Sequence, residues 1–220
     1  MCIPHSSYRG IYPDWVGRAG ARRRLGVAPD ETVLLALGQI RPYKGLDRLL
    51  DFADRAARPH LRLLVAGALR PRPGSAELAA RLATTPRTTS LTRRLRDEEI
   101  QVWMRAADLA VLPYVSVLNS GAFLLAESFD LPVVAPRTGA LVERGTEPHV
   151  RLFDEHEFEG VLAHAIRDLV EDPEGAARAR ASAERAARSR PADEMAARFA
   201  DAVAPLLRSA AEPAAAHRVW

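Results

Sequence analysis

Residues 38–45 combine residue types that suit the binding of a diphosphate. They contain Arg41 and Lys44, the only lysine of the chain. They follow the apolar run 33–38 and lead into a segment with helical spacing, so backbone N–H groups at the helix start add to the two cations. We predict that Gly38, Arg41 and Lys44 face a diphosphate. The alternative is a solvated turn that carries two surface cations.

Residues 113–123 form a second segment that leaves an apolar run and opens a helix. Ser120 and Gly121 permit close approach of backbone N–H groups to a ligand. Glu127 lies about two helical turns further on. Its carboxylate could accept two hydrogen bonds from a vicinal diol, such as that of a ribose. The alternative is a capped helix with an exposed glutamate.

A third segment, 136–143, follows the apolar run 132–135, so it too would lie at the end of a strand. Gly139 permits backbone approach to a ligand, and Glu143 could reach the cleft formed by the other two segments. The alternative is a tight turn without a ligand.

Apolar runs alternate with segments of helical spacing along most of the chain, as in an α/β protein. We predict strands at 33–38, 61–67, 87–91, 109–112, 132–135 and 150–153, and helices at 18–25, 45–57, 75–83, 97–106 and 120–129. Two or three further helices are expected between 155 and 207, and Asp97 is the expected N-cap of its helix. The fold class is a Rossmann-like parallel sheet with helices on both faces. Ligands of such sheets bind beyond the carboxyl ends of the strands, where all three segments fall.

Composition excludes several classes of protein. The formal net charge of +3 is too small to indicate a nucleic-acid partner by itself, and a single cysteine excludes an internal disulfide. No apolar run is long enough to span a membrane and the first ten residues lack signal-peptide character, so a cytoplasmic location is expected. The sequence has no G-x-G-x-x-G after a strand and no Walker motif, which argues against NAD binding and ATP hydrolysis. It also has no G-x-S-x-G, which argues against an α/β-hydrolase, and no His, Asp or Glu cluster with metal-ligand spacing.

The order of these segments resembles the carboxyl-terminal domain of the group 1 glycosyltransferases, a retaining family with the two-domain GT-B fold. No single matching segment is specific to this family, but the segments taken together in this order are. The matching pieces are 3–5, 38–40 with 44–45, 97–100, 106–113, the helix of Glu127, 131–135 and 139–143. The resemblance implies a donor-binding domain at 33–190, preceded by a linker-like segment at 1–32 and followed by a helix and tail at 191–220.

The resemblance also implies roles for individual residues. Arg41 and Lys44 match the basic pair that holds the donor diphosphate and neutralises the leaving nucleotide. Glu127 matches the second glutamate of the E-x7-E motif, which binds the nucleotide ribose. His5 matches the residue of a loop that faces the cleft. Catalysis would be electrostatic, with a nucleoside-diphosphate sugar as the donor substrate and neither metal nor cofactor.

Two departures from the family pattern accompany the match. Asn119 stands where the family has the first glutamate of the motif, and Ser120, Gly121 and Ala122 with the following Phe123 replace the usual G-F-G-L. The resemblance therefore leaves the sugar contacts and the stereochemical outcome open. The matching pieces also begin near the family's linker, and none of them corresponds to its amino-terminal acceptor domain. Three accounts are open: a fragment, an acceptor-binding domain on a separate subunit, or a non-catalytic nucleotide-sugar-binding module.

Overall fold

The computed structural model describes residues 5–56, 58–115 and 117–211, with side chains as far as Pro205. Predictions that involve Ile3, Pro4 or Ser116, and the tail from residue 212, lie outside the described residues. Everything below concerns the described part of the chain.

Six parallel strands form one sheet in the order β3-β2-β1-β4-β5-β6. The strands are β1 (Thr32–Leu37), β2 (Leu61–Ala66), β3 (Thr88–Leu91), β4 (Leu109–Val111), β5 (Val133–Pro136) and β6 (Val150–Phe153). Five of them, all except β3, are rich in Val, Leu and Ala and largely buried, as expected for strands covered on both faces. The predicted parallel α/β sheet is confirmed, and each predicted strand agrees with the structure to within one residue at either end.

Helices cover both faces of the sheet. They are α1 (Arg18–Leu25), α2 (Leu46–Arg55), α3 (Ser75–Thr84), α4 (Asp97–Ala106), α5 (Gly121–Ser128), α6 (Phe158–Ile166), α7 (Pro173–Arg188) and α8 (Ala192–Ala211). A π-helical turn, Arg167–Glu171, joins α6 to α7. No described helix is both long enough and apolar enough to cross a membrane.

The core has two layers because alternate strand residues point to opposite faces of the sheet. Leu34 and Val111 pack with α2 and α6 on one face. Leu35 and Ala110 pack with α1, α4 and α5 on the other face. The two layers fix both sides of β1 and β4, the central strands from which the candidate site extends.

One local prediction is wrong. Asp97 is not the N-cap of α4 but its first helical residue, and the cap is Arg96 in extended conformation. The Glu99 carboxylate accepts the Arg96 backbone N–H at 2.8 Å. Glu99 closes the first turn in this way, so no small polar cap side chain is required.

The segment 1–32, predicted as a linker, contains α1 in its described part. Ala21 is fully buried in the core, and Arg22, also buried, donates to Asp108 Oδ2 at 2.6 Å. Asp108 immediately precedes β4 and also accepts the Val33 N–H at 2.9 Å. The segment is therefore fixed to the amino ends of the two central strands.

Candidate functional site

The carboxyl ends of β1 and β4 create a small cleft at the centre of the sheet. Strand β1 lies between β2 and β4. The strands that follow β1 in sequence are added first on the β2 side and then, from β4 onward, on the other side, so the strand order reverses at this point. Gly38, Ile40, Lys44, Pro113 and Tyr114 line the cleft. The first two predicted segments therefore lie side by side.

Lys44 extends across this cleft. Its ammonium group donates to the Tyr114 hydroxyl at 3.0 Å and lies 4.6 Å from the centre of the Tyr114 ring. It also passes over Gly38, where a Cβ atom would be 3.2 Å from Nζ. Burial lowers the pKa of Lys44, and the positive charge of Arg41 acts in the same direction. The ammonium is therefore a partly desolvated cation, which an arriving anion would stabilise.

Tyr114 connects this cation to the start of α5. Its side chain is buried, and burial raises its pKa to about 12, although a hydrogen bond with Ser120 opposes the rise. Ser120 is the N-cap of α5, where its hydroxyl accepts the Phe123 N–H at 3.3 Å. Lys44, Tyr114 and Ser120 thus form a polar chain at a helix N-terminus, where the helix dipole favours negative charge.

Arg41 is exposed beside Lys44 and lines a larger neighbouring cavity of about 380 Å³. Its Nε and Nη2 atoms donate to Gln39 Oε1 at 3.0 and 2.7 Å. The loop that carries both cations is held by Gly45, whose φ is +61° and where a Cβ atom would lie 2.0 Å from the Pro113 carbonyl oxygen. Only glycine permits so close an approach between the loops that follow β1 and β4.

The loop after β5 also packs against the loop after β4. The Ala140 N–H donates to the Leu118 carbonyl at 3.0 Å. Gly139 has a φ of +56°, and a Cβ atom there would lie 2.4 Å from the Val117 carbonyl oxygen. Asn119 and Glu143 are both exposed on these loops, and Ala122 is half-buried in the first turn of α5. The third predicted segment therefore meets the second.

His5 is exposed near the start of α5. Its Nδ1 lies 2.8 Å from the Ser6 carbonyl oxygen, and its Nε2 lies 3.5 Å from the Tyr8 hydroxyl. That hydroxyl is 3.2 Å from the position that a Cβ atom on Gly121 would occupy. Tyr8 therefore lies between His5 and the N-terminus of α5, and a role of His5 at the cleft stays a prediction.

Glu127 differs in environment from the other predicted residues, because its side chain is fully buried. It contacts Arg144, accepts from Arg190 at 2.6 Å and lies 2.8 Å from His149 Nε2. Its two oxygens are thus already engaged. Ribose binding by Glu127 stays a prediction, and a diol would have to replace one of these partners.

The sequence spacing did not anticipate the residues around Glu127. Glu127, Glu147 and His149 place ligand-type atoms within 4.8 Å of one another, in a geometry that could hold a metal ion. Arg144 binds both Glu127 and Glu147, and Arg190 binds Glu127. Guanidinium groups thus supply the positive charge that the two carboxylates need.

Sequence reasoning also missed Tyr114 and Tyr8 as individual residues. Tyr114 follows the apolar run of β4, so its position at the carboxyl edge of the sheet could be predicted from the sequence. Its contact with Lys44 could not be predicted, because 70 positions separate the two residues. Tyr8 carries no sequence signal beyond its place three residues after His5.

Comparisons with known proteins agree with this architecture. Residues 31–172 match the profile of the family described as "Glycosyl transferases group 1". D-inositol 3-phosphate glycosyltransferase from Mycobacterium sp. (strain KMS) is 35% identical over 181 residues, which cover 77% of this chain and 39% of that protein. The chain therefore spans well under half the length of this curated relative.

Solved structures share the fold at lower sequence identity. Sucrose-phosphate synthase from Thermosynechococcus elongatus superposes with a TM-score of 0.77 at 22% identity, covering 94% of this chain and 52% of that one. HepE from Anabaena, in complex with UDP and glucose, has a TM-score of 0.72 at 22% identity, covering 84% and 51%. The fold is that of a GT-B glycosyltransferase domain. From the family match and the related sequence together, we conclude that this chain belongs to the group 1 glycosyltransferases.

Proposed function

We propose that this chain binds a nucleoside-diphosphate sugar and forms the donor half of a glycosyltransferase that acts with retention and without a metal. The observation that carries the proposal is the chain of contacts from Lys44 through Tyr114 to Ser120. It places a partly desolvated ammonium beside the N-terminus of α5 at the point where the strand order reverses. Arg41 adds a second cation on the exposed side.

The chemistry of this arrangement is electrostatic. When the bond between the anomeric carbon and the β-phosphate breaks, negative charge grows on the departing nucleoside diphosphate. Lys44 and the N–H groups at Gly121 and Ala122 would stabilise that charge, and Arg41 would grip phosphate oxygens from the exposed side. Fixed dipoles of this kind need little reorganisation during the reaction, so they stabilise the transition state more than the ground state.

The remaining predicted residues would hold the rest of the donor. Asn119 and Glu143, exposed on adjoining loops, would contact sugar hydroxyls, and His5 would close the cleft next to Gly121. Orientation of the anomeric carbon toward an acceptor then lowers the entropic barrier to transfer. The acceptor would come from an acceptor-binding domain, on this polypeptide or on a separate subunit.

The structural relatives support a nucleotide sugar as the class of donor. One structural neighbour, HepE, was solved both in complex with UDP and glucose and in complex with UDP-glucose. A nucleotide sugar is therefore the first donor class to test. A cytoplasmic location stays a prediction from the sequence.

A second candidate function is non-catalytic binding of a nucleotide sugar. The observation that favours it is Asn119, an uncharged side chain at the position of the family's first glutamate. Such a module needs the diphosphate and nucleotide contacts but no group that assists transfer.

One experiment separates the two candidates. The chain is incubated in EDTA with UDP-, GDP- and ADP-sugars, and released sugar is followed by proton NMR of the anomeric signals. A retaining transferase releases sugar slowly to water, and the first anomer formed keeps the configuration of the donor. Such release therefore identifies the transferase. Saturable binding without release is the result expected of a binding module, and also of a donor half that lacks its acceptor domain, whereas the absence of any binding contradicts both candidates.

A further inference from the structure

A second cavity, of about 320 Å³, lies far from the candidate donor site. Arg18 and Arg105, two of its lining residues, are close to Asp108, which precedes β4, and to Phe129, which follows α5. The cavity therefore opens at the amino ends of the strands, on the opposite edge of the sheet. Its lining consists of residues 14–18, Met104, Arg105, Phe129 and Arg180.

The salt bridges around this cavity leave an excess of positive charge. Five guanidinium groups share three carboxylates, so two positive charges are not matched within this network. The arginines are Arg9, Arg18, Arg22, Arg105 and Arg180, and the carboxylates are Asp14, Asp108 and Asp130. Asp14 also lines the cavity, but both of its oxygens bind Arg105.

Arg180 is the least neutralised member of the network. Among the described residues its single acceptor is Asp108 Oδ1, at 3.4 Å, and that oxygen already contacts Arg18. Burial and the charge of Arg18 lower the pKa of Arg180, with Arg105 acting in the same direction. A guanidinium held between two other cations would be stabilised by an additional anion.

Trp15 gives the cavity an aromatic wall. Its side chain is 69% exposed, yet its backbone is fixed because the Trp15 N–H donates to Gln101 Oε1 at 2.8 Å. Exposed tryptophan beside arginines is suited to an anion that carries an organic group, since the ring covers the apolar part of the ligand.

We propose that this cavity binds a phosphate group, carried by a soluble phosphate ester or by a lipid headgroup, through Arg18 and Arg180. A guanidinium group can donate two parallel hydrogen bonds to phosphate oxygens, and these two guanidinium groups share a single carboxylate oxygen of Asp108, whereas Arg105 is already engaged by Asp14. The volume is sufficient for a phosphate ester with a small organic part. This site is independent of the donor cleft and of the proposed transferase activity.

The test is a titration with inorganic phosphate, followed by the 1H–15N NMR signal of the Trp15 indole, which Trp15→Phe assigns. The signal should shift saturably in the wild type. Arg180→Ala should weaken the apparent affinity at least tenfold. Arg178→Ala, an exposed charge change on the same helix, should leave it unchanged. Because the readout is local, a failure of donor binding would not alter it.

Vesicle flotation identifies the source of the phosphate. Binding to phosphatidic acid vesicles but not to phosphatidylcholine vesicles, lost in Arg180→Ala, assigns a lipid headgroup. A retained phosphate shift without flotation assigns a soluble phosphate ester, and either result supports the site. The proposal is overturned if phosphate does not shift the Trp15 signal, or if Arg180→Ala and Arg178→Ala respond alike.

Discussion

The Lys44 ammonium lies 3.0 Å from the Tyr114 hydroxyl and 4.6 Å from the centre of its ring. A single buried tyrosine after β4 thus holds the cation supplied by the loop after β1. The contact fixes the direction of a flexible side chain before any ligand arrives, so less rotamer entropy is lost on binding. The candidate donor site is therefore pre-organised at its phosphate end.

Replacement of Lys44 should weaken donor binding. Lys44→Ala removes a charge-assisted contact, which is worth about 1.5–3 kcal/mol, so the Kd for the nucleotide sugar should rise roughly 10- to 100-fold. Isothermal titration calorimetry measures the change, with circular dichroism to confirm folding. Arg178→Ala, far from the cleft, is the matched control. An unchanged Kd in folded Lys44→Ala would contradict the assignment of Lys44 to the diphosphate.

The lowered pKa of Lys44 predicts a pH dependence. As pH rises through that pKa, below the ordinary value of 10.5, the ammonium loses its proton and donor affinity should fall. Lys44→Arg keeps its charge throughout and should abolish the fall. In the same window the unfolded chain still binds the proton, so the stability of the ligand-free protein should rise with pH. Calorimetry and urea unfolding at pH 7 to 10.5 check the two opposite trends.

Tyr114→Phe separates the hydroxyl from the ring. The variant keeps the aromatic face under Lys44 but loses the hydrogen bonds to Lys44 and Ser120. The variant keeps the Lys44 charge that would contact the diphosphate, so donor affinity should fall only a few-fold, less than in Lys44→Ala. A loss as large as that of Lys44→Ala would mean that Tyr114 contacts the donor itself.

Asn119→Ala should affect the sugar more than the nucleotide. The side chain is exposed on the loop after β4, next to the loop that carries Glu143. The Kd of the full nucleotide sugar should rise, while the Kd of the matching nucleoside diphosphate stays within about twofold of the wild-type value. Equal losses for the two ligands would refute a sugar contact.

Glu127 should contribute strongly to stability. Glu127→Ala leaves Arg144 and Arg190 without a shared buried carboxylate, and breaking a buried pair in this way costs about 3–5 kcal/mol. Glu127→Gln keeps the shape and should cost less. Urea unfolding gives both values, and donor binding has to be measured in the folded variants to test the predicted ribose contact. Wild-type stability in Glu127→Ala would contradict the structural role.

The sequence predicted the strands and helices well because their patterns are local. Buried strands read as unbroken apolar runs, and helices as apolar residues three and four apart. The exception at Asp97 has a local cause, since Glu99 satisfies the first turn of α4 in place of an N-cap side chain.

The side-chain contacts within the candidate site are harder to predict from the sequence. Arg41, Lys44 and Ser120 follow apolar runs and precede helices, so the sequence could place them at the carboxyl edge of the sheet. The contact of Lys44 with Tyr114, and those of Glu127 with Arg144, His149 and Arg190, join residues that are distant in sequence and depend on side-chain direction. Its position in the helix and the family motif both gave Glu127 a ligand role, and neither indicated its burial.

The most direct test of the account is a calorimetric titration of the purified chain, in EDTA, with a panel of UDP-, GDP- and ADP-sugars. The account predicts saturable 1:1 binding to the sugars of one base, which would show a formed donor site and name the nucleotide. The absence of saturable binding to any member of the panel would contradict the central claim that this cleft binds a nucleotide sugar.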